Sequence, residues 1–243
     1  MSGYLLKMNY LINYADGAFE ESRLKNSISG LSAGFDSVIQ YSSKDIDSLF
    51  FNKNKKILTQ KRGAGYWLWK SYFIFQTLKN VREGDTVFYS DSGAEFVRSV
   101  EPLLDLIQEK EVVGFKMSGN HKEGQYTRKA VIDKLGLNPN EVAKTNQDMA
   151  SFIGVKKTLH TEKEEHVIGT WLSYCQDPQL IMDTPREVDE FDEFIDHRHD
   201  QSLWSLVSKQ FNVYKAPDPT QWGISSGETQ QADFFINHHR NRQ

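Results

Sequence analysis

Asp85-Thr-Val-Phe-Tyr-Ser-Asp-Ser-Gly93 is the segment on which the fold turns. Asp85 to Ser90 is rich in β-branched and aromatic side chains and reads as a short buried strand, which Asp91-Ser-Gly93 stops in a polar turn. Upstream, Tyr66 to Asn80 reads as a helix. Downstream, Val97, Val100, Leu103, Leu104 and Ile107 share one helical face, and Glu111-Val-Val-Gly-Phe-Lys116 is another short strand. Toward the N-terminus, Tyr10-Leu-Ile-Asn-Tyr14 and Ser37-Val-Ile-Gln-Tyr41 are strands, separated by a helix from Ala18 to Ala33 with Gly34 at its C-cap. Short strands alternating with helices predict an α/β domain with a largely parallel sheet. Such sheets bind ligands beyond the carboxyl ends of their strands. Here those ends carry Tyr14-Ala-Asp16, Tyr41-Ser-Ser43 and Ser90-Asp-Ser-Gly93.

The second half is more helical. Thr161-Glu-Lys-Glu164 has the form of a capping box, and the helix after it presents Val167, Ile168, Trp171, Leu172 and Cys175 on one face. Cys175 is thereby expected to be a small core residue. The acidic run from Glu187 to Asp196 reads as a solvated helix face with Val188, Phe191, Phe194 and Ile195 inward. A further helix is expected from Asp200 to Phe211. With no repeat or linker, residues 1–236 are expected to form a single domain, with 237–243 as a flexible tail.

Composition excludes several classes. In 243 residues, Lys and Arg number 29 against 33 Asp and Glu, which argues against a general nucleic-acid binder. A single cysteine allows neither an internal disulfide nor a cysteine-based zinc cluster. No run approaches the roughly 20 apolar residues of a spanning helix, and the N-terminus lacks the pattern of a signal peptide. A soluble, cytoplasmic protein is the expectation. The sequence contains no Gly-x-Gly-x-x-Gly, Walker loop or His-Glu-x-x-His, which disfavours Rossmann oxidoreductases, P-loop kinases and zincin proteases.

Three segments carry candidate chemistry. Arg62-Gly-Ala-Gly-Tyr-Trp-Leu-Trp-Lys70 places two glycines before an aromatic helix start, where backbone amides favour anions. Trp67 and Trp69 read as core or pocket wall, whereas Arg62 and Lys70 are charges in an apolar segment and require partners. Asp91, just past a buried strand, is placed to hold Mg²⁺ or Mn²⁺ with a substrate's phosphate oxygens, although Asp-Ser-Gly is also an ordinary turn. His197-Arg-His-Asp-Gln-Ser202 packs two imidazoles, a guanidinium and a carboxylate together. It departs from the His-x-His-x-Asp-His pattern of binuclear hydrolases and better suits a diphosphate and its metal. Asp148, beside small residues, is a candidate base for an acceptor hydroxyl, or equally a helix start. His121, His238 and His239 read as surface residues.

Taken in order, Tyr14-Ala-Asp16, Gly34-Phe-Asp36, Arg62 to Lys70, Tyr89-Ser-Asp-Ser-Gly93 and His197 to Ser202 resemble a group of small GT-A-type glycosyltransferases. This group is found in bacterial capsule and lipopolysaccharide clusters and in large DNA viruses. The resemblance runs from about residue 9 to residue 211. It implies a GT-A-like nucleotide-binding sheet, a nucleotide-sugar donor (a UDP-sugar first), a divalent metal, and a glycan or lipid-linked glycan acceptor made into polysaccharide. By this likeness Asp91 and His199 would hold the metal. Tyr14, Ala15, Asp16, Arg62, Lys70, Ser92, Gly93 and Arg198 would join them around the donor, and Asp148 and Asp200 would be catalytic. Peripheral membrane contact would suit lipid-linked acceptors, but no basic amphipathic helix supports it. The rival readings are a non-catalytic carbohydrate- or nucleotide-binding module and a metal-dependent phosphodiesterase.

Overall fold

The computed structural model describes residues 6–161, 163–184 and 189–239. Strand β1 (Asn9–Tyr14) leads through helix α1 (Glu20–Ala33) to β2 (Ser37–Tyr41). Helix α2 (Leu68–Asn80) precedes β3 (Thr86–Ser90), and a short β4 (Ala94–Phe96) follows. Next come α3 (Glu101–Lys110), β5 (Val112–Lys116) and β6 (Asp148–Lys156). Then α4 (Val167–Cys175), α5 (Asp200–Gln210), β7 (Tyr214–Ala216), α6 (Gln221–Ser226) and β8 (Ile236–His238) complete the chain.

Six strands form one sheet in the order β2-β1-β3-β6-β5-β7, and β4 pairs with β8 beside it. The pairs β1–β2, β1–β3 and β5–β7 are parallel, while β6 runs antiparallel to both β3 and β5. The sheet is therefore mixed but mostly parallel, with helices on both faces. One core face gathers Ile12, Tyr89, Ile153, Trp171 and Trp204; the other gathers Leu11, Phe88, Phe115 and Phe152. Cys175 is fully buried in the first. Asp85 is structural, accepting from the backbone N–H groups of Met8 and Arg82 (both 2.9 Å). No helix among the described residues is long and apolar enough to cross a membrane.

Several local expectations are corrected. The segment beginning at Asp148 is a strand, not a helix start, and it supplies the centre of the sheet. Helix α3 begins at Glu101, leaving Val97 outside it and 44% exposed. The Thr161 hydroxyl bonds back to Thr158 rather than capping a helix; α4 starts later, where the His166 ring accepts from the Ile168 N–H (3.3 Å). The acidic run is irregular over residues 189–196, with Ile195 62% exposed, while Glu187 and Val188 lie outside the described residues. The tail does not begin at Asn237: Asn237 and His238 belong to β8, paired with Glu95 and Ala94.

Candidate functional site

The carboxyl ends of β1 and β3 open into a cavity of about 1220 Å³, above the roughly 300–1,000 Å³ of ordinary small-molecule pockets. Lys70 sits at its floor. Its side chain is 5% exposed, and its ammonium lies 2.8 Å from Asp200 and 3.4 Å from Asp91. A buried charge needs such partners, and here β3, α2 and α5 each deliver one member. The Tyr89 hydroxyl donates to Asp91 (2.6 Å), and the Lys70 ammonium stands 5.3 Å from the Tyr89 ring. Burial disfavours the ammonium, but Asp200 and Asp91 outweigh it and hold the Lys70 pKa above its ordinary value. Burial likewise opposes ionisation of Asp91. Lys70, His238 and hydrogen bonds from Tyr89 and Ser151 more than offset it, so Asp91 stays ionised. Asp200 lies deeper, and burial pushes its pKa up to about 6 against the pull of Lys70. In stability the two carboxylates act oppositely. The Asp200 contribution is full at low pH and lost as pH rises through about 6; the Asp91 contribution is lost on acidification.

The cavity wall over this cluster is the 62–67 loop. Ala64, Tyr66 and Trp67 all have positive φ, as does His199 at the start of α5. Left-handed backbone at non-glycine residues is strained, and strain of this kind gathers at functional sites. The glycines serve this turn rather than a helix N-terminus: Gly63 and Gly65 have φ of +57° and +97°. The Trp69 indole N–H donates to the Gly63 carbonyl (3.0 Å), which closes the turn onto α2. Arg62 reaches Asp183 (3.2 Å) and Asp196 (3.7 Å) at the cavity mouth. Both pairs are about half exposed and so contribute little to stability.

On the β1 side, the Tyr14 ring stacks on Trp69 with centroids 3.8 Å apart. The Tyr14 hydroxyl donates to Asp16, which also accepts from the Ser43 N–H and hydroxyl (both 3.1 Å). The Ser92 hydroxyl donates to the Tyr14 carbonyl and ties the Asp91-Ser-Gly93 turn to this wall. Tyr14, Ala15, Asp16, Ser92 and Gly93 thus line one end of the cavity together. On the other side, Arg198 lies 3.5 Å over the Tyr126 ring and approaches Gln147 (3.5 Å) and Met117.

Asp148 is the candidate that the structure does not bring into the cavity. Its carboxylate accepts from the Ser208 hydroxyl (2.8 Å) and pairs with Lys215 (3.3 Å) under α5. Because strand side chains alternate, its neighbours Met149 and Ser151 face the cavity instead. This placement removes the reason for choosing Asp148 as the base. Reading the sequence also passed over Asp183, the partner of Arg62, and the wall made by Met117 to Gly119, Asp218 and Trp222. His121 and His238, expected at the surface, line the cavity, and His238 is only 4% exposed.

Among the described residues no three His, Cys, Asp or Glu side chains gather into a metal centre. Mg²⁺ and Mn²⁺ are commonly held by one or two carboxylates plus substrate phosphates, and Asp91, ionised and 30% exposed, fits such a role. His199 does not fit it. Its Nδ1 faces the Ile181 carbonyl (2.7 Å), its Nε2 faces Asp183 (3.7 Å), and its ring packs against Tyr66 and Trp67.

No protein-family model matches the sequence, and no curated protein matches it. Among solved structures, the fold is similar to apo mouse xyloside xylosyltransferase 1, with a TM-score of 0.52 and 8% identity, over 96% of this chain and 97% of that one. It is also similar to the apo bifunctional glycosyltransferase WbbM, with a TM-score of 0.53 and 10% identity. That match covers 100% of this chain and 47% of WbbM, so the chain spans about half of that protein. At these identities the likeness is one of fold. The α/β sheet is GT-A-like, as the sequence resemblance implied.

Proposed function

We propose that the chain is a glycosyltransferase that moves a sugar from a nucleoside-diphosphate sugar, a UDP-sugar first among them, to a hydroxyl of a glycan or lipid-linked glycan. The observation that carries this reading is the Lys70–Asp91–Asp200 cluster at the floor of a large cavity, in a fold shared with glycosyltransferases. Tyr14, Ala15 and Asp16 would border the nucleoside, with Ser92 and Gly93 beside the diphosphate. Lys70, and Arg62 at the mouth, would face the charge that develops on the departing nucleoside diphosphate; fixed charges aimed at such a leaving group lower the barrier without reorganising. Asp200 fixes the Lys70 ammonium from below and Asp91 fixes it from the cavity side.

One ammonium against two carboxylates leaves the cluster net negative, so an anionic donor approaches it best with a cation. Mn²⁺ or Mg²⁺, met by Asp91, would neutralise the diphosphate as the sugar–phosphate bond breaks. A thermal-shift panel of nucleoside diphosphates with and without Mn²⁺ tests this reading. A ligand at a hundredfold excess over its Kd stabilises the native state by about 2.7 kcal/mol. The expected result is a metal-enhanced shift with UDP that disappears in Asp91→Ala. Absence of any nucleotide shift with folded protein would leave a glycan-binding module as the better reading.

The charge balance also sets a pH dependence. Protonating Asp200 through its pKa of about 6 neutralises the cluster. Metal-free UDP-glucose, whose esterified diphosphate does not titrate in this range, should then bind roughly tenfold more tightly at pH 5 than at pH 8. Asp200→Asn should flatten that profile, as calorimetric titration would show. Wild-type affinity that weakens on acidification would contradict the assignment of the cluster as the diphosphate's neighbour.

A further inference from the structure

Trp222 stands in the cavity wall and is 56% exposed, whereas Trp69, Trp171 and Trp204 are buried and Trp67 is half-buried. It does not hang from a loose loop. Asp218 accepts from the Thr220 N–H (2.9 Å) and hydroxyl (2.7 Å), and Thr220 in turn caps α6 by accepting from the Trp222 N–H (3.2 Å). The Gln221 amide brackets the His238 backbone, donating to its carbonyl (2.8 Å) and accepting from its N–H (2.9 Å). Gly223 leaves no room for the helix to shift, since a Cβ there would meet the Asp218 carbonyl oxygen at 2.5 Å. The backbone that carries the indole is thus fixed, and the residue is left more than half exposed.

Its place in the sheet says what it faces. β3, which leads into Asp91, has β1 and β2 on one side and β6, β5 and β7 on the other. The Tyr14 wall follows β1, whereas Met117 to Gly119 follow β5 and Asp218 to Trp222 follow β7. The two walls are joined: the Ser118 N–H points at Asp218 (3.4 Å) and the Gly119 N–H at Glu228 (3.3 Å). Trp222 therefore lies across Asp91 from the Tyr14 wall. Ser225, Ser226 and His121 line the same cavity and set hydrogen-bonding groups in its wall along with the indole. A concave wall of this kind suits a small ligand better than the broad surface of a protein or lipid partner. A pyranose ring, with one C–H face and a rim of hydroxyls, matches an exposed indole in a cavity wall that also carries hydrogen-bonding groups.

We infer that Trp222 is the stacking platform for a pyranose ring of the acceptor glycan, with Ser225 and Ser226 beside it to meet the ring's hydroxyls. Calling that sugar the acceptor rests on the transferase reading; the stacking itself does not. The test uses the full chain labelled with 5-fluorotryptophan, whose five indoles give separate fluorine signals; the one missing from Trp222→Phe belongs to Trp222. Methyl hexopyranosides and hexose disaccharides are titrated in, with UDP and Mn²⁺ thermal shifts on the same wild-type protein as the control. The expected result is that at least one sugar moves the Trp222 signal more than the other four. Saturation transfer to that sugar should fall tenfold or more in Trp222→Ala and persist in part in Trp222→Phe. A UDP shift together with a Trp222 signal that no sugar moves, or undiminished sugar contact in Trp222→Ala, overturns the inference while leaving the transferase reading intact. Sugar contact at Trp222 without any nucleotide shift supports the platform and removes the transferase reading.

Discussion

Lys70→Met should lower the melting temperature by roughly 6–12 °C and cut sugar transfer by about 100-fold or more. The two effects have different origins. Lys70 is the ammonium against which both Asp91 and Asp200 are placed. Removing one partner of a buried ion pair strands the other, at about 3–5 kcal/mol. The lower end applies here, because Asp91 is partly open to solvent and Asp200 can take up a proton once its pKa climbs further from about 6. The catalytic loss comes from removing a fixed positive charge beside the leaving diphosphate. The double variant Lys70→Met/Asp200→Leu separates the two. With both deep charges gone, its stability should recover most of the way to wild type, because an apolar pair can replace a buried ion pair at little or no loss. Its transfer activity should not recover. Thermal melts and a transfer assay on wild type, Lys70→Met and the double variant make the measurement. Stability restored together with activity would mean that Lys70 only supports the fold.

The strands ending at Tyr14, Tyr41 and Ser90 were legible because each is a short run rich in aliphatic and aromatic residues and is stopped by turn residues. The omission of β6 has a physical cause. Met149 to Val155 is buried on both faces at the centre of the sheet, so it shows no alternation, and Asp148 in front of it imitates a helix start. Its signal was present all the same, in the apolar run that ends with Ile153 and Val155. The same strand explains the misplacement of Asp148. Alternation turns Ser151 toward the cavity and Asp148 toward Ser208, and no sequence reading that takes the segment for a helix can find this.

Lys70 was legible because a charge inside an apolar helix demands a partner. Which carboxylates answer it was not, since Asp91 and Asp200 come from β3 and α5 and meet only through the sheet. His199 shows the same limit in the other direction. Its neighbours in sequence suggest a ligand set, but the fold turns its ring toward Asp183. Trp222 carries no local mark that distinguishes an exposed indole from a buried one. Its exposure follows from the capping of α6 by Thr220 and the pairing of β8, both beyond the region of family resemblance.

Gly65→Ala should unfold the site more severely than its one added methyl suggests. At φ +97° the residue occupies backbone that L side chains rarely adopt, and a Cβ would fall 2.8 Å from the Leu58 Cα, a backbone atom with little freedom to move. A left-handed conformation alone costs a non-glycine residue about 1–2 kcal/mol, and overpacking against fixed atoms adds about 1–3 kcal/mol. Gly227→Ala isolates the first contribution: its φ is +73°, and nothing lies within 4 Å of the added carbon. Gly227→Ala should therefore lower the urea midpoint slightly and Gly65→Ala by two- to threefold more. Function should divide the pair further. Gly65 lies between Arg62 and Trp67, and the loop it forms seats Tyr66 and Trp67 against His199. If the loop must reshape to admit a Cβ, nucleotide affinity should drop at temperatures where Gly65→Ala is still folded, while Gly227→Ala binds as wild type. Equal destabilisation in the two variants would show that the loop can give way at Leu58. Unchanged nucleotide affinity in Gly65→Ala would show that the strained turn serves the fold and not the ligand.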